Sequence, residues 1–138
     1  MSLRSNPPAA AVLGCAGTTL SDAEKAFFRD FNPFGLILFA RNIDAPETIR
    51  RLIAEFRETV GRADAPVFID QEGGRVARLR PPLWPTLPPA GAIGALAAID
   101  PAQARLAATL LGQAIAATVA PLGIDVACAP VADVRAPG

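Results

Sequence analysis

An α/β fold built on a parallel sheet is predicted by three features of this 138-residue chain. Short apolar runs alternate with helical patterns. The runs are apolar at consecutive rather than alternate positions, and helix-start signals recur between them. Consecutive apolar residues suit strands covered on both faces, as in parallel sheets with crossover helices. The order strand, helix, strand, helix, strand, loop, helix, strand then specifies right-handed crossovers.

Residues 9–16 (AAAVLGCA) form the first apolar run, closed by Gly17. Ser21 and Glu24 have capping-box spacing, with the Ser side chain for the N3 amide and the Glu reaching back to the Ser21 amide. The helix they start carries Phe27, Phe28 and Phe31 until Asn32 and Pro33 stop it. Residues 34–40 (FGLILFA) predict a second strand, bounded by Pro33 and the polar Arg41-Asn42. A second start signal runs from Asp44 to Glu47, with Pro46 in the first turn. Behind it Ile49, Leu52, Ile53, Phe56 and Val60 recur at helical spacing, while Arg50, Arg51, Glu55, Arg57 and Glu58 take the other face. Residues 66–70 (PVFID) predict a third strand. Asp100, Pro101 and Gln103 open a long Ala/Leu-rich helix to about Pro121, and residues 124–131 (IDVACAPV) predict a fourth strand. Residues 75–94, with Pro81, Pro82, Pro85, Pro88 and Pro89, fit neither helix nor strand and predict a stiff loop laid over a strand-end surface.

Four such strands close either as a small open sheet or as half of a (β/α)8 barrel. A complete barrel needs about 200–250 residues or more. The chain has little more than half of that and stops just after its fourth strand. The expectation is therefore the first half of a barrel, about four parallel strands and three helices, with residues 1–138 forming its amino-terminal portion.

Composition removes several functions. Lys+Arg and Asp+Glu balance at 13 each, so the net charge is zero and no broad cationic footprint exists for nucleic acid or an anionic membrane. A 51% hydrophobic content excludes a disordered tail. No uninterrupted apolar run approaches the roughly 20 residues that span a bilayer. There is no His and no Tyr, so imidazole cannot serve in this chain as base, triad member or metal ligand. Cys15 and Cys128 form no CxxC pair, and no structural zinc is expected. Both lie in apolar stretches and predict buried, reduced thiols, which fits a reducing compartment. Arg4 followed by an apolar stretch up to Cys15 faintly resembles a lipoprotein signal, but residues 9–14 are too short for the ~7 to 15 residues of a signal core.

The richest segment is residues 69–78 (IDQEGGRVAR), at the carboxyl end of the third strand. Parallel α/β folds gather their binding groups there. Asp70 would end the strand with its carboxylate in the mouth, and Gly73-Gly74 permits a sharp turn. Arg75 and Arg78 are three apart, so one helical turn would set both guanidinium groups on one side. A carboxylate beside forked donors suits a polyhydroxylated ligand. The same residues also fit an ordinary acidic turn with solvated arginines, and residue types leave both readings open. The glycines match neither phosphate-binding loop pattern. Asp133 is a site-facing carboxylate or a turn residue, whereas Asp125, at the opposite end of the fourth strand, is expected to be structural. Arg41-Asn42 ends the second strand on the candidate face. Trp84 either stacks on a sugar or anchors the Pro-rich loop.

Three strings carry a resemblance: FGLILFARNI, VFIDQEGGRVARLRPP and LGIDVACAPVADV. They resemble the amino-terminal half of the family 3 glycoside hydrolases, on the branch of the bacterial β-N-acetylhexosaminidases that trim N-acetylglucosamine from cell-wall muropeptides. The likeness runs from position 14 to the end, and DQEGGRV is its most specific part. The resemblance implies a (β/α)8 TIM barrel and a retaining mechanism through a glycosyl–enzyme intermediate. It also implies an N-acetylglucosamine-containing saccharide as partner, no cofactor or metal, and a cytoplasmic place in peptidoglycan recycling. Carried over position by position, it makes Asp70 a ligand of sugar hydroxyls and Arg78 a second substrate-binding residue. The family's later Arg, Lys-His pair, general-acid His and nucleophilic Asp correspond to nothing in these 138 residues. No catalytic residue is assigned, and the chain alone is expected to be inactive. The rival expectation is a non-catalytic carbohydrate-binding or self-associating half-barrel, because free edges of the first and fourth strands invite pairing with another copy.

Overall fold

The computed structural model describes residues 7–131. The chain runs β1 (Ala9–Leu13), α1 (Asp22–Phe31), β2 (Pro33–Leu38), α2 (Pro46–Val60), β3 (Val67–Ile69), β4 (Gln71–Gly73), β5 (Val76–Ala77), α3 (Ala90–Ala97), α4 (Pro101–Val119) and β6 (Val126–Ala127). Single 3-10 turns occupy Ala40–Asn42 and Ala120–Leu122. β1, β2, β3 and β6 lie side by side in that order in one parallel sheet, and β4 and β5 form a separate antiparallel hairpin. The predicted α/β architecture is present, with each strand beside its predecessor.

Local chemistry explains most boundaries. The capping box forms as expected: Ser21 Oγ accepts from Glu24 N at 3.2 Å, and Ser21 N donates to Glu24 Oε2 at 2.8 Å. Asn32 ends α1 at φ 49°, a left-handed conformation that Asn tolerates. α2 begins one residue later than its start signal implied. Its N-cap is Ala45, not Asp44, and no side chain caps it. Pro46 at the first helical position holds the preceding residue extended, at φ −78° and ψ 154°.

The core lies between the sheet and helices α1, α2 and α4. Leu36, Leu38, Val67 and Ile69 are fully buried, as are Ile49, Leu52 and Phe56 from α2. Phe28 meets Phe56 edge-on at 5.6 Å. Val60, expected with them, is only half-buried. Gly35 allows β2 and the start of β3 to close up, since a Cβ there would stand 2.5 Å from the Pro66 carbonyl oxygen.

The amino-terminal strand ends are tied by basic side chains from α2 and the turn after it. Arg57 was expected on the outer helix face. It is instead half-buried, donating to the carbonyls of Ala65 and Gly123 at 3.1 and 3.2 Å and pairing with Asp125 at 2.8 Å. Asp125 also accepts from Val67 N at 2.8 Å, so it is structural, as expected. Arg62 donates to the Pro33 and Phe34 carbonyls at the start of β2.

At the carboxyl ends, Asn42 is fully buried. Its Oδ1 accepts from Phe39 N at 2.8 Å, and its Nδ2 donates to the carbonyls of Gly17 at 2.7 Å and Cys15 at 3.2 Å. It belongs to the scaffold rather than to a binding face.

Two expectations change. The Pro-rich segment does not run as a loop to residue 94, because α3 starts at Ala90. The stretch AGAIGALA has no polar face to mark a helix, and α3 packs on α4 instead. β6 is two residues long rather than eight. It pairs only with β3, on one side, and Pro130 lacks an amide to extend the ladder. Trp84 packs with Leu87 against the core, which supports the anchoring role. The helical stretch Pro101–Leu122 is long and apolar enough to cross a membrane by length and composition. Ala104, Ile115 and Val119 of α4 are buried, while Leu106 and Leu110 are exposed.

Two outcomes test this scaffold. Asn42→Ala takes the side-chain partner from the Phe39 amide and the Gly17 carbonyl, while the Cys15 carbonyl keeps Arg41 Nε. At about 1–3 kcal/mol for each group left unpaired, it is expected to destabilise the chain by about 3 kcal/mol in urea unfolding. A loss below about 1 kcal/mol contradicts the tie. Burial, then the nearby Glu24 charge, pushes the Cys15 thiol up to about 11. A thiol raised in this way keeps its proton more tightly when folded, so its contribution to stability holds below pH 9 and fades as pH rises toward 11. Iodoacetamide at pH 8 should therefore modify Cys128 and leave Cys15 unmodified until urea is added, which peptide mass mapping reads directly.

Candidate functional site

Groups from several carboxyl strand ends converge beside β3. Asp70 follows β3 immediately, and the β4–β5 hairpin returns Arg78 to it across eight residues. Arg78 Nη2 donates to Asp70 Oδ2 at 2.7 Å, and both side chains are about a quarter exposed. Phe39, just past β2, sits beneath two cations, with the Arg41 guanidinium carbon 4.7 Å and that of Arg78 5.9 Å from its ring centroid. Arg41 is pinned further by a 2.8 Å bond from Nε to the Cys15 carbonyl. Cys128 follows β6, with its amide on the Ile69 carbonyl at 2.8 Å. Its thiol is pushed up by burial, then by the Asp70 charge and a hydrogen bond to that carboxylate, and last by Glu72.

The hairpin is shaped by its glycines. Gly73 and Gly74 have φ of 98° and 56°, in the left-handed region that favours glycine. Gly74 N donates to the Leu87 carbonyl at 2.7 Å. A Cβ on Gly73 would stand 2.2 Å from the Pro88 oxygen, and one on Gly74 would stand 2.7 Å from Pro89 Cβ. The Pro-rich segment thus lies directly on the turn, as a strap across the strand-end surface.

Asp70 and Arg78 are brought together, whereas Arg75 is not. The expected helical turn is a hairpin, so Arg75 points away, is exposed, and makes no ion pair among the described residues. Its carbonyl accepts from Arg80 Nη2 at 2.8 Å. Cys128 corrects another expectation, being half-buried beside Asp70 rather than sealed in the core. Sequence reasoning missed Phe39 and Cys128 as site residues. Their signal was position: each follows an apolar strand at its carboxyl end. Asp133 lies outside the described residues.

Among the described residues no cluster of three or more Cys, Asp or Glu side chains is placed to hold a metal. The chemistry on offer is hydrogen bonding. The Asp70 carboxylate accepts, the Arg78 fork donates, and the buried Arg78 Nε has no partner among the described residues. Beside the site, a groove of roughly 430 Å³ runs between α3, α4 and residues 125–131, lined by Ile93, Leu111, Ile115, Ala127 and Val131, with Glu72 at its edge.

Known proteins are similar to this chain in sequence and fold. The beta-hexosaminidase of Alkalilimnicola ehrlichii is 36% identical over 122 residues, 88% of this chain and 34% of the relative. That of Bordetella pertussis is 36% identical over 130 residues, 92% of this chain and 36% of the relative. The crystal structure of NagZ from Neisseria gonorrhoeae in complex with zinc ion superposes with a TM-score of 0.84 at 30% identity, covering 93% of this chain and 38% of that one. The same protein in complex with N-trifluoroacetyl-D-glucosamine gives a TM-score of 0.81 at 29% identity, covering 90% and 36%. The chain thus spans about a third of the length of the curated relatives it matches. The family description "Glycosyl hydrolase family 3 N terminal domain" matches residues 11–137, nearly the whole sequence, and the chain belongs to that family.

Proposed function

We propose that this chain supplies the sugar-holding part of a retaining β-N-acetylhexosaminidase, which removes terminal β-linked N-acetylglucosamine from muropeptides in cytoplasmic peptidoglycan recycling. Residues 1–138 are the amino-terminal portion of a single catalytic barrel in this reading. The observation that carries it is the Asp70–Arg78 pair at the carboxyl end of β3, a charged acceptor and donor held 2.7 Å apart and open to solvent. Family membership and the relatives named beta-hexosaminidase support it. So does a related structure that holds an N-acylated glucosamine analogue.

Retaining hydrolysis needs a nucleophilic carboxylate and an acid that protonates the leaving oxygen. Asp70 is engaged by Arg78, and the chain contains no histidine. Its share of the work is to accept and donate hydrogen bonds to sugar hydroxyls, fixing the ring for groups that this segment does not carry. Bonds of that kind, made to charged partners, contribute about 1.5–3 kcal/mol each.

The second reading, a self-associating module, is favoured by one observation. The outer edges of β1 and β6 have no strand partner among the described residues, and the β6 edge adjoins the apolar groove.

Asp70→Ala and Arg78→Ala should each weaken N-acetylglucosamine binding by about 10- to 100-fold in a calorimetric or NMR titration, and unchanged affinity overturns the reading. The purified chain should not hydrolyse a chromogenic β-N-acetylglucosaminide, and turnover that disappears in Asp70→Ala would contradict the holding role. A sharp, soluble dimer in sedimentation velocity would favour the module instead.

A further inference from the structure

We infer that Gln71 is a positioning residue for the sugar site, because its buried amide sets where the Arg78 guanidinium stands relative to Asp70. The inference rests on the sugar-holding reading of that pair. Gln71 is 1% exposed and, with Asn42, makes up the buried polar side chains among the described residues. Its Oε1 accepts from Arg78 N and from Leu79 N, each at 3.0 Å, and its Nε2 donates to the Leu79 carbonyl at 3.1 Å. All three bonds fall on two consecutive residues, as a neighbouring strand would place them.

The connection between Asp70 and Arg78 needs such a tie. It contains two adjacent glycines, the residues with most backbone freedom to lose. Its hairpin pairs strands of three and two residues across an irregular register, too little to be stable alone. The Arg78 side chain has few holds of its own: Asp70 takes Nη2, the Phe39 ring lies 5.9 Å from the guanidinium carbon, and Nε has no partner. The guanidinium therefore stands where the backbone of residues 78 and 79 puts it. Leu79, fully buried next to Arg78, anchors the same backbone from the core side.

Gln71→Met keeps the volume and removes all three bonds. Gln71→Glu keeps the twofold acceptor and, in the protonated form that burial at this position favours, can donate its O–H to the Leu79 carbonyl in place of the amide. Three readouts on the full chain separate positioning from packing: amide hydrogen exchange at residues 78 and 79, the Arg78 guanidinium NMR signals, and titration with N-acetylglucosamine. Gln71→Met should speed exchange at both amides, broaden away the Arg78 side-chain signals and weaken sugar binding at least about tenfold, with Asp70 and Arg78 both in place. Gln71→Glu should restore the Arg78 signals and most of the affinity. Unchanged Arg78 signals and affinity in Gln71→Met overturn the inference, as does equal damage in both variants, which would make the amide merely structural. If Gln71→Met does not fold, Gln71→Glu decides: retained Arg78 signals support the inference and their loss overturns it. If the unmodified chain binds no N-acetylglucosamine, the sugar reading fails, while the exchange and guanidinium signals still judge whether Gln71 sets the pair.

Discussion

A parallel strand that stops short leaves backbone amides and carbonyls at its carboxyl end with no ladder to join, and burying them unpaired is costly. This chain meets that constraint with two amide side chains. Asn42 satisfies the ends of β1 and β2, and Gln71 satisfies the backbone that returns beside β3. Carboxamides suit the task because each carries a donor and an acceptor on one planar group. They are also neutral, and so avoid the larger penalty of a buried charge. The two amides reach the backbone of Phe39 and of Arg78 directly, and Cys128 is placed by its own bond to the Ile69 carbonyl.

The two ends of the sheet divide labour by charge. At the amino ends, Arg57 and Arg62 spend most of their donors on carbonyls, and Asp125 joins the α2 side of the core to β3 and β6. At the carboxyl ends, Arg78 spends one nitrogen on Asp70, and the pair stays partly open to solvent. Arg57 and Arg62 thus act as staples, as Arg41 and Arg80 do on the Cys15, Ala77 and Arg75 carbonyls, whereas Arg78 is the one proposed here to recognise a ligand.

Much of this was legible in the residues. The apolar runs around Leu36 and Ile69 and the α2 stripe of Ile49, Leu52, Ile53 and Phe56 carried their own periodicity, and the Ser21–Glu24 cap is a local code. Asp70 and Arg78 were legible because strand ends collect chemistry and because the DQEGGRV string is specific. What escaped depended on contacts distant in sequence. α3 has an apolar pattern without a polar face, so only its packing on α4 defines it. The separation of Arg75 from Arg78 turned on a hairpin rather than a helix, which the left-handed glycines and the strap across them decide. The position of Cys128 beside Asp70 depends on β6 pairing with β3, a pairing that the spacing of residues 69 and 128 does not announce.

The strap and the turn beneath it leave no slack, with Pro88 and Pro89 seated where side chains at Gly73 and Gly74 would have to be. Neither segment can drift in isolation. A bulkier residue in the turn demands a rerouted strap, and a rerouted strap removes the Leu87 carbonyl that the Gly74 amide uses. Lineages carrying this site should therefore exchange the two segments together or keep both, so that stretches more than ten positions apart behave as a single unit of inheritance.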